Sequence, residues 1–95
     1  MNDYLFYGAA KSANPEKTLT KQHTFLDLLA SFPFDDMAAE KYSMIRAHLE
    51  RQGTPIGTND LMIASIALAR DLTLVTHNTR EFSRVPNLKI EDWEI

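Results

Sequence analysis

Nine consecutive residues, Leu61-Met62-Ile63-Ala64-Ser65-Ile66-Ala67-Leu68-Ala69, are apolar but for one serine. A helix that is apolar on nearly every face is buried rather than amphipathic. This run is far too short to cross a bilayer. The fold must therefore close around it from more than one side. Asp71 breaks the run, and Leu72–Thr76 reads as a strand. His77 and Asn78 follow in a loop. Asn78-Thr79-Arg80-Glu81 has the spacing of a capping box and opens a short turn ending near Phe82. After Pro86, Leu88-Lys89-Ile90-Glu91 alternates like a second strand. The gap of about ten residues between the two strands is just enough for a parallel crossover. Helices alternating with short strands predict an α/β layer fold with a parallel sheet.

The remainder of the chain supplies the helices. Asp3–Ser12, apolar at Leu5, Phe6, Ala9 and Ala10, reads as a short helix with Gly8 inside it. Asn14-Pro15-Glu16 is a strong helix start. Leu19, Gln22, Leu26 and Leu29, widened by Phe25 and Leu28, carry that helix to about Ser31. Pro33 ends it, leaving Phe32-Pro33-Phe34 extended. Asp35 or Asp36 caps a third helix with the stripe Ala38, Tyr42, Ile45 and Leu49, which Gly53 stops. Thr58 or Asn59 caps the buried helix after the loop Thr54-Pro55-Ile56-Gly57.

Composition narrows the class. At 95 residues the chain is one domain. Ten basic against 13 acidic residues give a net charge of -3, and both halves carry a slight acidic excess. Such a chain is not held on nucleic acid by bulk positive charge, although an enzyme acting through a small site is compatible. With no cysteine, disulfides, thiolate metal sites and cysteine nucleophiles are excluded. The opening MNDYLFYGAAKS does not read as a signal peptide, so a soluble, cytoplasmic protein without membrane contact is expected.

Asp60 is the residue best placed for chemistry. It lies in the first turn of the buried helix, where unpaired N–H groups and the helix dipole favour negative charge. It either helps cap that helix or offers a carboxylate to a hard cation such as Mg²⁺ or Mn²⁺, which wants oxygens from several elements. In an open α/β sheet these meet at the carboxyl ends of the strands. Asn78, at the end of the strand Leu72–Thr76, either caps the following turn or supplies an amide oxygen to the same site. Glu81 reads as the capping-box acid. Thr76 either orients a ligand or ends the strand, and Arg80 and Arg84 are candidates for a phosphate contact. His23 and His48 lie on separate helices, and His77 reads as a plain loop residue. No G-x-S-x-G motif is present.

Three ordered blocks carry a resemblance: Pro55-Ile56-Gly57-Thr58-Asn59-Asp60-Leu61-Met62-Ile63-Ala64, then Leu74 to Val85 (L-V-T-H-N-T-R-E-F-S-R-V), then Leu88-Lys89-Ile90-Glu91-Asp92-Trp93. Together with Leu5-Phe6-Tyr7-Gly8-Ala9-Ala10-Lys11-Ser12, which fits the family's second helix, they resemble the PIN-domain proteins of the VapC type. That resemblance implies a toxin of a type II toxin–antitoxin pair, a Mg²⁺- or Mn²⁺-dependent endoribonuclease that hydrolyses RNA phosphodiesters. It further implies a homodimer and a cognate antitoxin that silences it. Asp60 matches a family metal carboxylate. Asn78 falls where the wider family is often acidic, which implies either a weaker, auxiliary ligand or a group that supports the ligands from behind.

The chain also departs from the family pattern. The family's opening strand, ending in Asp, has no counterpart here, and the position of a second carboxylate is Tyr4, with Asp3 beside it. The expectation is a partial PIN-like domain spanning 1–95: a parallel sheet flanked by helices, lacking the first, central strands. A truncated reading of a longer gene, a remnant, or a piece completed by a partner would each account for this. The metal set expected is Asp60, Asn78 and Asp3, with Asp60 and Asn78 catalytic and activity weak or absent. The alternative is a non-catalytic remnant that binds an antitoxin or a dimer partner.

Overall fold

The apolar run forms α3 (Thr58–Ala69), the best buried element of the chain. The computed structural model describes residues 3–7 and 25–93. Ile63, Ala64, Ile66 and Ala67 lose all contact with solvent. Burying each of the two isoleucines stabilises the fold by about 1.5–3 kcal/mol. Ser65, the one polar side chain in the run, donates to the Leu61 carbonyl at 2.6 Å, so its burial leaves no hydroxyl unsatisfied.

Helix α2 (Asp36–Gln52) packs along α3. Its ends match the sequence reading. Asp35 is the N-cap, accepting from the Ala38 N–H at 3.0 Å. Gly53 closes the other end at φ 71°, a left-handed conformation in which glycine carries no Cβ penalty. Ala38, Ile45 and Leu49 are buried and Tyr42 packs at their edge. Helix α1 (Phe25–Ser31) inserts Leu28 into the core. Leu26, expected on the apolar stripe, is instead 75 % exposed, because Leu28 takes the inward direction. The first half of that predicted helix, and residues 8–12 of the one before it, lie outside the described residues.

The sheet is parallel throughout, in the order β1-β2-β3. Its strands are β1 (Tyr4–Phe6), β2 (Thr73–Val75) and β3 (Ile90–Glu91). Strand β2 is buried on both faces and sits in the middle, as expected for a parallel strand covered from both sides. Strand β1 is a correction: Tyr4–Phe6 was expected to be helical. The short segment alternates, with Leu5 buried and Tyr4 exposed, and its backbone pairs with the edge of β2. Aromatic side chains favour that outcome: Tyr4 and Phe6 stack on one face and meet Trp93 at centroid distances of 5.4 and 5.0 Å. Phe32–Phe34 is paired with no strand of this sheet. Among the described residues, no helix is long and apolar enough to cross a membrane.

Candidate functional site

The carboxyl ends of the parallel strands and the amino end of α3 converge on one spot. Helix α3 begins with Gly57 as N-cap, one residue before the expected Thr58 or Asn59, and no side chain from its own turn caps it. Glu81, on the short helix α4 (Thr79–Phe82), lies near enough to the Gly57 N–H for that donor to favour its charged form. A carboxylate from a separate element thus stands at the positive end of the buried helix, where the dipole favours it.

Asp60 sits in the first turn of α3, partly buried. Asn78 holds the N-cap position of α4, but its side chain does not cap that helix. Its Nδ2 donates to Glu81 Oε2 at 2.8 Å and to Asp60 Oδ2 at 3.4 Å. The capping box therefore does not form as read from the spacing. The Asn78 backbone N–H donates to Thr76 Oγ1 at 3.1 Å, so the buried Thr76 hydroxyl fixes the loop that presents the amide. Both Asp60 and Asn78 reach the cluster.

Asp3 does not. It precedes β1 at the amino end of the sheet, where its carbonyl accepts from the Thr73 N–H. A strand rises about 3.3 Å per residue, so Asp3 stands roughly 13 Å from Tyr7, which follows β1 at the end that faces the cluster. The helix expected for this segment would have left Asp3 near the site; the strand carries it away.

Two groups at the cluster escaped the sequence reading. Glu81 was read as a capping acid, since the spacing gives no hint that the helix it serves is α3 rather than its own. Tyr7, which the sequence reads as helical, follows β1, and its side chain favours the charged form of Asp60. Arg84 lies close enough to Glu81 to favour its charge, and its guanidinium donates to the Pro55 carbonyl at 3.3 Å. Arg80 is exposed. His77 Nδ1 lies 3.2 Å from Asp92 Oδ2 beside the site.

The electrostatics separate the two carboxylates. Burial and the neighbouring Glu81 charge push Asp60 above the ordinary carboxylate range. The Asn78 amide, followed by the Gly57 N–H, holds Glu81 below its ordinary value. Like charges facing each other at a helix end create a place that a cation relieves. The two carboxylates are hard oxygen donors suited to Mg²⁺ or Mn²⁺, while the Asn78 amide turns its nitrogen toward both of them. They come from two different elements, as such a site requires. Among the described residues, no three His, Cys, Asp or Glu side chains cluster to hold a metal, and the expected amide-oxygen ligand is corrected to an amide that donates to both carboxylates.

The PIN domain family model matches residues 5–88. The tRNA(fMet)-specific endonuclease VapC of Salmonella typhimurium is 47 % identical over 89 residues, covering 94 % of this chain and 67 % of that protein. Ribonuclease VapC2 of Rickettsia felis is 43 % identical over 90 residues, 95 % of this chain and 67 % of its relative. The chain spans about two thirds of the length of the curated relatives it matches. Among solved structures, DNA-bound VapBC from Salmonella typhimurium superposes with a TM-score of 0.60 at 40 % identity, covering 90 % of this chain and 65 % of that one. The family model spans most of the chain and the Salmonella relative shares 47 % identity with it, so the chain belongs to the PIN-domain family, within its VapC group.

Proposed function

We propose that the cluster of Asp60, Glu81 and Asn78 is the working site of a VapC-type, metal-dependent endoribonuclease that hydrolyses RNA phosphodiesters. One observation carries this reading: two carboxylates of opposite pKa displacement meet at the amino end of a buried helix, bridged by one amide. Asp60 and Glu81 would hold Mg²⁺ or Mn²⁺, and the Asn78 amide nitrogen orients both carboxylates. When bound, the ion supplies positive charge for activating water and for offsetting the charge that builds on a phosphodiester under attack.

The chain's own residues do the rest. Glu81, held ionised, is available to take a proton from water. Asp60, whose ionisation burial opposes, keeps charge at the site only while a donor or a cation compensates it. Asn78 holds the two carboxylates apart at fixed separations from its Nδ2, so the pocket is shaped before substrate arrives. Arg80, exposed on the same short helix, is placed to contact an RNA phosphate.

The Salmonella relative acts on tRNA(fMet), which makes initiator tRNA the first substrate to try. A cognate antitoxin as partner is supported by the VapBC complex among the structural neighbours, and a homodimer and a cytoplasmic setting belong to the same reading. Incubation of the purified chain with initiator tRNA and Mg²⁺ or Mn²⁺ tests the proposal. Fragments that vanish with a chelator and return with excess metal are the expected result. Intact RNA, with antitoxin binding retained, would favour the non-catalytic alternative.

A further inference from the structure

Helix α2 buries Ala38, Ile45 and Leu49 and carries a second stripe beside them: Met37, Lys41, Met44, His48 and Arg51 follow at steps of 4, 3, 4 and 3. That spacing keeps them on one side of the helix. The two methionines stand open to solvent, 59 % and 58 % exposed. From Lys41 to Arg51 the stripe forms one wall of a groove of about 620 Å³, and Leu68, near the end of α3, and Pro86, ahead of β3, stand across from it. The groove therefore lies at the end of the sheet where β2 and β3 begin, away from the Asp60 cluster.

Charge sets this groove apart. The chain has a net charge of -3, yet among the described residues no carboxylate lines the groove. Lys41 and Arg51 stand about 15 Å apart along the helix axis. Among the described residues, no hydrogen bond or ion pair engages Lys41, His48 or Arg51, whereas Arg46, on the same helix, is held by Glu50 at 3.5 Å. Asp71, at the same end of the sheet, is already bound to Lys89 at 2.9 Å. Two uncompensated cations at the ends of an apolar floor are complemented by carboxylates at the ends of an apolar row. Methionine suits such a floor, because its flexible thioether adapts to side chains of varied shape. A nucleic-acid backbone would satisfy the cations but leave the floor of Met44, Leu68 and Pro86 without a match.

We propose that this groove receives an amphipathic helix of a partner protein, with apolar side chains on Met44 and Leu68 and carboxylates on Lys41 and Arg51. The distance between the two cations corresponds to about three helical turns, the reach of a groove-bound helix read through residues three and four apart. A partner seated there leaves the Asp60 cluster open.

The probe is a synthetic alanine-based helix of about 15 residues, with leucines along one face and glutamates beside them. A second peptide carries lysines in place of the glutamates. In the full chain labelled with ¹³C at the methionine methyls, the Met44 resonance, assigned by its disappearance in Met44→Leu, is expected to move with the glutamate peptide. Met62, on α3 and outside the groove, is expected to stay still. Fluorescence anisotropy is expected to show binding weaker by about tenfold or more in Lys41→Glu/Arg51→Glu, and weakened also in the milder Lys41→Gln/Arg51→Gln. Circular dichroism confirms the fold of each variant. A still Met44 resonance, equal binding of the lysine peptide, or unchanged affinity in the glutamine variant overturns the proposal. Movement of Met44 with an oligouridylate and not with the peptide overturns it in favour of nucleic acid. Movement with protein concentration alone overturns it in favour of a second copy of the chain.

Discussion

Asp60 and Glu81, 21 positions apart in the chain, share a single hydrogen-bond donor: Asn78 Nδ2 lies 3.4 Å from the first and 2.8 Å from the second. The shorter bond goes to the carboxylate that is easier to ionise. The other carboxylate is left with the weaker contact and the greater burial, and this asymmetry makes the pair testable one member at a time.

Asp60→Asn removes charge but not shape. RNA cleavage dependent on Mg²⁺ or Mn²⁺ is expected to fall by about 100-fold or more, since even indirect partners of metal ligands are worth up to that factor. Gel assays of tRNA cleavage, with circular dichroism to confirm the fold, check this. Undiminished cleavage would take Asp60 out of the site.

Stability should respond in opposite directions at the two carboxylates. The folded state raises the Asp60 pKa, so its ionised form opposes folding, and the penalty is complete once pH exceeds the folded value. Asp60→Asn is therefore expected to raise Tm slightly at pH 7, with the gain vanishing below about pH 4, where the wild-type group is neutral in both states. The folded state lowers the Glu81 pKa, so Glu81→Gln is expected to lower Tm at pH 7, and the loss should close as pH falls through the folded value. Thermal melts of the three proteins between pH 3 and 7 read both signs, and parallel curves would refute them.

The end of α2 offers a test independent of the site. Gly53 adopts φ 71°, and a Cβ there would meet nothing within 4 Å. Gly53→Ala therefore carries a purely conformational cost of about 1 kcal/mol, which in a domain this size lowers Tm by roughly 4–8 °C. At the other end, Asp35→Ala removes the bond to the Ala38 N–H and is expected to cost about 1 kcal/mol.

The core tolerates less. Leu74 is completely buried in the central strand, and Leu74→Ala is expected to cost about 2–5 kcal/mol. In a domain of this size that is a large share of the total stability. Urea denaturation measures it, and a loss below about 1 kcal/mol would show that the sheet is not the centre of the core.

Much of this was legible in the chain. The caps of α2, the buried character of α3 and the parallel sense of β2 and β3 follow from local rules: an aspartate before a helix, a glycine after it, an apolar run, a connection of the right length. The opening segment was misread because its few apolar residues suit either a helix or a strand, and the deciding term is the pairing edge that β2 presents from the far end of the sequence. At the site, Asp60 and Asn78 were visible because motif and element position agreed. Glu81 was not, because its contact with Gly57 joins elements that spacing cannot relate, and the local capping box explained its presence well enough to hide it.

The amino end of α3 lacks a stopper of its own and borrows Glu81 for the purpose. Whatever binds that carboxylate also acts on the backbone amide at the start of α3. A ligand that engages the acidic pair is therefore expected to change the deuterium exchange of the Gly57 amide, an observable that needs no attached label.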